Sequence, residues 1–574
     1  MSFLQKRWTV LPASQDLASE LAREIRISPL LSKLLVNRTI TEPESAQRFL
    51  SSSLQDLRPP FLMKGMTGGC LRIIEAIKRR EKICVFGDYD VDGITGTALL
   101  KLFLDSLGAN VSFYIPNRLT EGYGLNIPAL DKFRAQGISL IITVDCGISN
   151  AEEVSFARSR GIDVVVTDHH EVPERIPEAC AVINPKQKGC EFPFKHLAGV
   201  GVAFYLVIAL RMMLRDKGFW EGRDYPNLRE YLDLVTLGTV ADIVPLLEEN
   251  RIFVKHGLEV LCRSTKPGII AIRRVGGGDG IPMTSDLIAY RLAPRINAAG
   301  RMGSGEKGVI LLTTSDQTEA DAIASELDRE NSKRQQIEET IFKEACGLIE
   351  STEGWLRQMA FVLESPAWHP GVIGIGASRI ADRYYRPTIL ISLDGDIGHG
   401  SARSIDEFHI YDGLRHCEGL LKRFGGHKAA AGLTIARDNI TQLRKKLNSL
   451  VENTLSPEDI VPKLRIDTQL DFSGITESFI QEIEALAPFG AGNPEPLFVS
   501  DVVSVSGSRM VGKNHLKLWI GGDGTYFDAI GFGMGDALPS LPTQIRVAFV
   551  PEINVWQGTK RLQLKMKDID GIDT

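Results

Sequence analysis

Three short apolar runs that each lead into an aspartate constrain the fold of this chain more than any other feature. The runs span residues 83–86, 140–144 and 162–167. The aspartates that follow them are Asp88, Asp145 and Asp168, and helical patterns at residues 94–108 and 149–161 separate the runs. Strands that alternate with helices predict βαβ units and a parallel sheet. Because ligands of such sheets bind beyond the carboxyl ends of the strands, these acids are expected to meet at one edge.

The first run continues into a dense acidic cluster. Its sequence is Gly87-Asp88-Tyr89-Asp90-Val91-Asp92-Gly93. On an extended segment, alternation would place Asp88, Asp90 and Asp92 on one side. Like charges this close repel each other unless a cation lies among them, so the pattern predicts a divalent metal. A helix-capping role is the alternative for any single aspartate. Three clusters, of which one continues into His169 and His170, favour the metal site.

Size and composition set the broad class of protein. The chain has 574 residues and a mass of 63.2 kDa, which predicts roughly three or four domains. No apolar run is long enough to span a membrane, and the first residues lack the apolar core of a signal peptide. Eight cysteines without C-x-x-C spacing disfavour a zinc site and a disulfide framework, so a cytoplasmic protein is expected. With a net charge of −6, any contact with nucleic acid depends on local basic patches.

The patterns along the chain predict five parts. They are an amino-terminal cap at residues 1–70, a domain of βαβ units at 71–310, a linking helix at 311–353, a second α/β lobe at 354–455, and a small β-barrel at 456–574. The helical pattern of the third part covers residues 316–351 and would span roughly 50 Å. Short strands separated by turn residues predict the barrel, and the OB-fold is one such barrel that binds strands of nucleic acid.

Further motifs carry chemistry. Asp242 lies among small and apolar residues, where a carboxylate needs a partner or a metal; a satisfied helix cap is the alternative. Arg295 and Arg301 flank small residues, and their guanidinium forks suit phosphate oxygens, although a solvated surface loop explains them equally well. In the second lobe, residues 398–404 and 425–432 form two glycine-containing loops with cations, which is typical of anion-binding surfaces.

Six motifs in order carry a resemblance to a known family. They read D-Y-D-V-D-G, V-D-C-G, D-H-H, V-A-D, R-I-N-A-A-G-R and G-G-H-K-A-A-A-G. This set resembles the DHH/DHHA1 phosphoesterase superfamily, and with the linking helix and the barrel it resembles the bacterial single-stranded-DNA exonucleases of that superfamily. The resemblance implies an α/β fold in which a parallel-sheet DHH lobe and a DHHA1 lobe are joined by a long helix, with a carboxy-terminal OB-like barrel.

The resemblance also implies a site with two divalent ions and specific ligands. The expected metal ligands are Asp88, Asp90, Asp92, Asp145, His169 and Asp242. Asp168 is expected to orient His169 from outside the ligand shell, and His170 to contact the scissile phosphate or a metal-bound water. The mixed Asp/His set favours Mn²⁺, with Mg²⁺ as the alternative.

The second lobe and the arginines are expected to bind substrate. By resemblance, Ser401, Arg403 and His427 would bind the DNA backbone next to the scissile bond. Arg118 and Arg301 are candidates for the terminal 5′ phosphate. Recognition of a free end converts a phosphodiesterase into an exonuclease.

The expected function is a metal-dependent 5′→3′ exonuclease that degrades single-stranded DNA to 5′-mononucleotides in DNA repair and recombination. The expected partners are single-stranded DNA, a helicase and a single-strand-binding protein, and the protein is expected to be a monomer without a membrane partner. One alternative is a phosphodiesterase of the same superfamily acting on short oligonucleotides or cyclic dinucleotides, whose members generally lack the barrel. A second alternative is a non-catalytic DNA-binding scaffold, which should have lost metal ligands that this chain retains.

The predicted barrel contains two basic stretches. Their cations are Arg509, Lys513 and Lys517 in the first and Lys560, Arg561, Lys565 and Lys567 in the second. Together with Trp519 and Trp556 they could form a basic, aromatic face for single strands. The alternative is an ordinary solvated strand surface.

Overall fold

A computed structural model describes residues 2–118, 120–522, 524–556 and 559–571 of the chain. The side chains of residues 555, 556 and 559 lie outside this description, and with them the predicted role of Trp556. The chain forms two compact units. The parallel-sheet unit comprises residues 44–333 and 486–494, and the barrel unit comprises residues 2–43, 334–485 and 495–571.

The amino-terminal region is mainly helical. Its elements are β1 (Arg7–Val10), α1 (Gln15–Ile25), α2 (Pro29–Asn37), α3 (Pro43–Ser51) and α4 (Met66–Lys78). The structure differs from the expected cap on the first domain, because residues 2–43 pack in the barrel unit. There, β1 pairs in parallel with a strand at Lys463–Ile466, and the Trp8 indole Nε1 donates to Asp568 Oδ2 at 2.8 Å.

Strands and helices alternate in the next region, as predicted. The elements are β2 (Lys82–Gly87), α5 (Val91–Ser106), β3 (Asn110–Tyr114), α6 (Ile127–Gln136), β4 (Ile138–Val144), α7 (Ala151–Ser159), β5 (Asp163–Thr167) and β6 (Ala181–Ile183). The strands form one parallel sheet in the order β3-β2-β4-β5-β6. The chain reverses its direction of winding between β2 and β4, and such switch points are where parallel sheets bind ligands.

The sheet is covered on both faces, which explains why its strands are apolar throughout. In β2, Ile83 and Val85 pack into one core cluster, whereas Cys84 and Phe86 pack into another. Helix α5 packs closely on β4 because Gly96 has no side chain; a Cβ there would lie 2.5 Å from Val144 Cγ1. The predicted parallel sheet is confirmed.

A helical region completes this unit and leads into the long helix. It contains α8 (Gly199–Asp216), α9 (Leu232–Ala241), α10 (Glu248–Arg263), α11 (Pro267–Val275), α12 (Ser285–Leu287), a π-helical turn (Ile288–Leu292), α13 (Ala293–Met302), α14 (Glu306–Thr313) and α15 (Gln317–Ser351). Helix α15 has 35 residues, close to the predicted 316–351, and at about 1.5 Å per residue it is roughly 50 Å long. No helix among the described residues is long and apolar enough to cross a membrane.

The second α/β lobe lies in the barrel unit. Its elements are β7 (Phe361–Ser365), α16 (Ile373–Tyr384), β8 (Thr388–Asp394), β9 (Ile397–Arg403), α17 (Ile410–His416), β10 (Leu421–Gly426), β11 (Ala430–Ala436) and α18 (Ile440–Thr454). The strands form a mixed sheet in the order β10-β11-β9-β8-β7, of which only β7 and β8 are parallel among the described pairs.

The carboxy-terminal region contains the predicted barrel. Its elements are β12 (Lys463–Ile466), β13 (Thr468–Gln469), α19 (Glu477–Glu484), β14 (Phe498–Val499), β15 (Val503–Val511), β16 (His515–Gly522), β17 (Thr525–Gly531), β18 (Gln544–Trp556) and β19 (Thr559–Gly571). Strand β18 pairs with both β15 and β19, and β19 also pairs with β17, so the sheet closes on itself. This closed five-strand arrangement of β15 to β19 confirms the OB-like barrel.

Candidate metal centre

The acidic residues that follow the strands lie in register at one edge of the parallel sheet. The Asp88 N–H donates to Val144 O at 3.2 Å, and the Asp145 N–H donates to Thr167 O at 3.1 Å. The Asp168 N–H donates in the same way to Ile183 O on β6. Each aspartate therefore extends the ladder by one residue beyond its strand, and their side chains begin at the edge that the sequence predicted.

The carboxylates that follow β2 come together in a turn, and not along an extended strand as expected. Asp90 still has an extended backbone but is already the N-cap of α5, and Asp92 lies in the first helical turn. Asp90 Oδ1 accepts hydrogen bonds from the N–H groups of Asp92 and Gly93. The predicted alternation along a strand is thus wrong. A tight strand-to-helix turn, which Gly93 permits by lacking a Cβ that would lie 2.5 Å from Asp88 N, brings the carboxylates together instead.

The N-terminus of α8 fixes Asp92. Its carboxylate is fully buried and accepts from Gly199 N–H through Oδ2 at 2.6 Å and from Val200 N–H through Oδ1 at 2.8 Å. Gly199 also lies against the next acid, since a Cβ there would be 2.7 Å from Asp145 Cβ. Asp145 itself has a left-handed backbone with φ 61°, a conformation that residues other than glycine adopt at a cost of about 1 kcal/mol or more.

The His169 ring is the point at which three carboxylates meet. Its Nε2 lies 3.0 Å from Asp145 Oδ1, 3.6 Å from Asp242 Oδ2 and 3.8 Å from Asp92 Oδ2. Asp242 reaches this position as the C-cap of α9. A hydrogen bond with the Leu197 backbone also holds His169. A backbone group, rather than the predicted Asp168 carboxylate, is therefore the outer partner of this ring.

Asp168 instead holds His170. Its Oδ1 lies 2.8 Å from His170 Nδ1 and also accepts the N–H groups of His169 and His170. The expectation that Asp168 orients the ring of His169 is corrected, because the chain turns sharply after β5 and brings the second histidine back onto the carboxylate. Tyr123, which the sequence did not single out, places its hydroxyl 3.1 Å from the same Nδ1 and donates to Asp145 O at 2.9 Å.

The electrostatics of the cluster are those of crowded like charges. Burial, followed by repulsion from Asp90, raises the pKa of Asp92 to about 7. Burial and neighbouring carboxylates raise the pKa of Asp88, Asp145 and Asp242 well above the ordinary range. Burial, with the charge of His170, lowers the pKa of His169 to about 3, so this imidazole is neutral at physiological pH. Such a set of carboxylates and a neutral imidazole is a ligand set for a divalent cation.

The orphaned polar atoms of the cluster fit bound metal. Four buried atoms of this set have no hydrogen-bond partner among the described residues: Asp88 Oδ1, Asp145 Oδ1, His169 Nε2 and Asp242 Oδ2. The donors fall into three groups whose ligand atoms lie within 4.8 Å of one another: Asp88, Asp90 and Asp145; Asp92, His169 and Asp242; and Asp145, His169 and His170. Every ligand predicted from the sequence belongs to at least one of these groups.

The three arginines predicted from the sequence lie in two different environments. The Arg118 guanidinium lies 5.0 Å from the Tyr89 ring centroid, and the charges of Arg118 and Arg301 both act on Tyr89. Both residues thus lie beside the acidic turn. Arg295 faces elsewhere, because its Nε is ion-paired with Asp328 of α15 at 2.8 Å.

Asn297 is a further residue that the sequence reasoning missed. It lies in the R-I-N-A-A-G-R motif on α13, and its Oδ1 accepts the Val91 N–H at 3.1 Å, directly within the acidic turn. Gly300 of the same helix lies against the Tyr89 carbonyl. The position of Asn297 between the two predicted arginines was the available signal.

The predicted substrate residues of the second lobe lie together in the barrel unit. On β9, Arg403 Nη1 donates to Ser401 Oγ at 3.1 Å. Both side chains face the first turn of α16, where a Cβ on Gly374 would lie 3.0 Å from Ser401 Oγ and from Arg403 Nη2. His427 follows β10 in the turn to β11, whose residues pair with β9. A hydroxyl, a guanidinium and a helix N-terminus form a surface suited to an anion.

The barrel presents a part of the predicted aromatic, basic face. Trp519 is 46% exposed and stacks on Tyr526, with ring centroids 6.5 Å apart and planes 6° apart. Arg509 lies opposite Lys517 on the neighbouring strand, and Lys517 is ion-paired with Asp528 at 3.3 Å. In the second basic stretch, Glu495 pairs with Lys565 and Lys567. The exposed platform therefore centres on the first stretch.

Comparisons with known proteins agree with this architecture. Family models match at residues 82–239 (DHH family, N-terminal domain), 358–453 (DHHA1 domain) and 466–568 (RecJ OB domain). The single-stranded-DNA-specific exonuclease RecJ of Bacillus subtilis is 39% identical over 568 residues, which cover 98% of this chain and 70% of that protein.

Two solved structures of RecJ from Thermus thermophilus also match. The complex with Mn²⁺ has a TM-score of 0.85 and 31% identity, and the match covers 99% of this chain and 80% of that one. The complex with Mg²⁺ has a TM-score of 0.78 and 30% identity, over 99% and 79% of the two chains. This chain belongs to the RecJ family of single-stranded-DNA-specific exonucleases in the DHH superfamily.

Proposed function

We propose that this protein is a metal-dependent exonuclease that degrades single-stranded DNA in the 5′→3′ direction and releases 5′-mononucleotides. The observation that carries the proposal is the convergence of unpartnered carboxylate oxygens and a neutral imidazole at the switch point of a parallel sheet. Family membership indicates the substrate. The preferred metal is Mn²⁺, because an imidazole takes part in the ligand set, and Mg²⁺ is the alternative.

Two adjacent ligand groups support two ions. Asp88, Asp90 and Asp145 would hold one, and Asp92, His169 and Asp242 would hold the other. Asp145 and His169 are close enough to join the two groups, since Asp145 Oδ1 and His169 Nε2 are 3.0 Å apart. Bound divalent ions supply Lewis-acid stabilisation of the phosphoryl oxygens and lower the pKa of an attacking water.

The chain's own residues orient the reacting groups. Asp168 holds His170 Nδ1, which leaves Nε2 of this ring for the substrate phosphate. Burial lowers the pKa of His170, but the hydrogen bond and the charge of Asp168 raise it by more than burial lowers it, so the net shift is upward. A protonated His170 can donate a charge-assisted hydrogen bond to a phosphate oxygen or give a proton to the leaving oxygen. The Asp92 carboxylate cannot rotate, because two backbone N–H groups of α8 hold its oxygens.

Cationic residues account for recognition of the DNA end and backbone. Arg118 and Arg301, both beside the acidic turn, would bind the terminal 5′ phosphate. Ser401, Arg403 and His427 would bind the backbone next to the scissile bond. Because Arg295 is paired with Asp328, its proposed contribution is to hold α13 in place rather than to bind phosphate directly.

Family membership supports a proposal for the wider role. We propose a cytoplasmic monomer that acts in DNA repair and recombination on strands exposed by a helicase, with a single-strand-binding protein as a second partner. A phosphodiesterase acting on short oligonucleotides or cyclic dinucleotides has no need of a closed barrel with an exposed aromatic stack. The alternative of a non-catalytic scaffold does not explain the unpartnered ligand atoms.

The test is digestion of single strands and duplexes carrying a label at either the 5′ or the 3′ end, with Mn²⁺ present. The expected result is immediate release of a labelled mononucleotide from the 5′-labelled single strand, late release from the 3′-labelled strand, and little digestion of blunt duplex. Asp242→Asn, which keeps the size of a proposed ligand, serves as the inactive control. Early release of the 3′ label, or equal digestion by Asp242→Asn, would contradict the proposal.

A further inference from the structure

Residues 486–494 belong to a different unit from the sequence on either side of them. The preceding α19 and the following β14 lie in the barrel unit, whereas this segment packs in the parallel-sheet unit that carries the metal ligands. Its sequence is Leu-Ala-Pro-Phe-Gly-Ala-Gly-Asn-Pro. A short segment that leaves its own unit needs contacts strong enough to hold it.

A buried arginine holds the first half of the segment. Arg251 on α10 is 1% exposed, and its guanidinium donates to Leu486 O and Ala487 O, each at 2.8 Å. Its Nε donates to Phe49 O at 2.8 Å. A buried guanidinium must have its N–H groups hydrogen-bonded, so the carbonyls of the segment complete the environment of Arg251. Asn493 closes the segment on itself by donating to Leu486 O and Pro488 O.

The second half of the segment contacts the loop that follows Asp242. The Leu246 N–H donates to Ala491 O at 2.7 Å. Gly490 lies against Leu246, where a Cβ would be 2.7 Å from Cδ1, and Gly492 lies against Pro245, where a Cβ would be 3.0 Å from the Pro245 Cβ. The two glycines thus allow the segment to approach the loop more closely than any other residue would.

The loop after Asp242 needs such support. Ile243, the next residue, has a left-handed backbone with φ 61° and a side chain that is 74% exposed. For a β-branched residue this conformation is a genuine outlier, and it persists only where neighbouring contacts determine it. Because the Ile243 side chain is exposed, its own packing contributes little to fixing this backbone conformation. Support comes instead through Pro245 and Leu246, whose backbone groups are held by Asn250 and by Ala491.

We propose that residues 486–494 are a positioning segment for Asp242, by which residues late in the sequence support the metal centre of the unit to which both belong. The inference rests on the proposed role of Asp242 as a metal ligand. It implies that the metal affinity of the parallel-sheet unit depends on residues more than 240 positions further along the chain (486 − 242 = 244).

The test is Mn²⁺ binding to the full-length protein without DNA, measured by calorimetry or by the paramagnetic resonance signal of free Mn²⁺. Gly492→Ala places a methyl group against Pro245 at a position with φ 72°. Its matched control is Gly161→Ala in the same unit, where φ is 75° and no heavy atom of the described residues lies within 4 Å of the added Cβ. Both variants place alanine at a similar positive φ, but only Gly492→Ala adds a methyl group against the loop that follows Asp242. Gly490→Ala, which has no positive φ, is a second variant should Gly492→Ala not fold.

Gly492→Ala is expected to raise the dissociation constant for Mn²⁺ about tenfold or more, as loss of an outer-shell partner does, while Gly161→Ala binds like the wild type. Asp242→Asn sets the upper limit of the effect. A folded Gly492→Ala protein that binds Mn²⁺ no more weakly than Gly161→Ala overturns the inference, as does equal weakening in both. Should Gly492→Ala not fold, Gly490→Ala against the wild type decides by the same criterion. Failure of the wild type itself to bind Mn²⁺ refutes the proposed metal centre and the inference with it.

Discussion

Crowding of the proposed ligand carboxylates is expected to destabilise the metal-free protein and to favour binding of a cation. Asp145 shows this most clearly, because burial and several neighbouring aspartates raise its pKa well above the ordinary range and its Oδ1 accepts no hydrogen bond from the described residues. We expect Asp145→Asn, which keeps the side-chain size and tolerates the left-handed backbone, to lower turnover by about a thousandfold. The same variant should melt at a higher temperature than the wild type when both are metal-free at pH 8. Near-normal turnover by the folded variant would exclude Asp145 as a ligand.

Tyr123 tests whether the second histidine of the D-H-H motif must be held in place. Its hydroxyl contacts His170 Nδ1 and the Asp145 carbonyl. Loss of these contacts in Tyr123→Phe should lower kcat by about five- to tenfold, with little change in KM for DNA or in Mn²⁺ affinity. Tyr225→Phe, at an exposed tyrosine of the same unit, is the control. A change in KM alone would mean that Tyr123 serves substrate binding rather than the orientation of His170.

At the scale of single residues, the identity of the side chains in the site was more predictable than the hydrogen bonds that hold them. The proposed ligands Asp88, Asp90, Asp92, Asp145, His169 and Asp242 were all identifiable, because each stands in a motif at the end of a strand or helix or at the start of the next helix. Individual hydrogen bonds between side chains or to the backbone leave no such pattern. The roles of Tyr123 and Asn297, and the pairing of Asp168 with His170, therefore emerged only from the structure.

The N-termini of α5 and α8 bring the carboxylates together, and the burial and mutual repulsion of these carboxylates make metal binding depend on pH. Raised pKa values mean that the folded, metal-free protein keeps protons that the unfolded chain has lost. Its stability should therefore fall as pH rises from about 4 through about 7, the pKa of Asp92. Mn²⁺ must displace these protons, so its affinity should increase over the same range.

The measurement is Mn²⁺ calorimetry at pH 6 and pH 8 in buffers of different ionisation enthalpy. We expect tighter binding at pH 8 and release of protons at pH 6, with fewer protons released by Asp92→Asn. His169 should contribute no protons, because its pKa is about 3. Binding that is independent of pH would show that the carboxylates are already ionised without metal.

Strand β9 and helix α16 form the proposed backbone-binding surface. Arg403→Ala should raise KM for long single strands about tenfold, the effect of one charge-assisted contact, and change hydrolysis of a minimal phosphodiester much less. Arg415→Ala, at an arginine of α17 that pairs with Asp412, is the control. Equal losses on long and minimal substrates would place Arg403 among the groups that act on the reacting phosphate.

Elements with a strong local pattern were predicted well, and elements formed by distant contacts were not. The strands β2, β4 and β5 and the 35-residue helix α15 matched the apolar and helical patterns closely. The acidic turn was mistaken for extended chain, because spacing alone does not distinguish alternation along a strand from a strand-to-helix turn closed by Asp90. Pairing of β1 with β12 joins residues more than 450 positions apart (463 − 7 = 456), and no local signal predicts it.

The two units are not independent in sequence, because residues 486–494 of the carboxy-terminal region belong to the unit that carries the proposed metal ligands. Removal of everything after residue 455 would therefore delete the barrel and the segment beside Asp242 together. Loss of activity in such a truncation would not separate weaker DNA binding from weaker metal binding. Substitutions on the barrel surface that leave residues 486–494 intact are the sharper approach.

The barrel's aromatic stack provides such a substitution. If single-stranded DNA stacks on Trp519 and Tyr526, Trp519→Ala should lower the affinity for long single strands about tenfold, within the range for one stacked base. Arg509→Ala should instead reduce the slope of log affinity against log salt by about 0.7, the value for one phosphate contact on a single strand. Val502→Ala, which truncates a similarly exposed apolar side chain without a ring, is the control.

All three variants should bind Mn²⁺ like the wild type, because the Ala491 carbonyl and its contact with Leu246 are untouched. Fluorescence anisotropy with labelled oligonucleotides across a range of salt concentrations measures both affinity and slope. Unchanged affinity and slope in folded Trp519→Ala and Arg509→Ala proteins would identify this face as an ordinary solvated strand surface. Binding of long DNA by the barrel would then have to involve other residues, of which the second basic stretch, partly paired with Glu495, is the next to test.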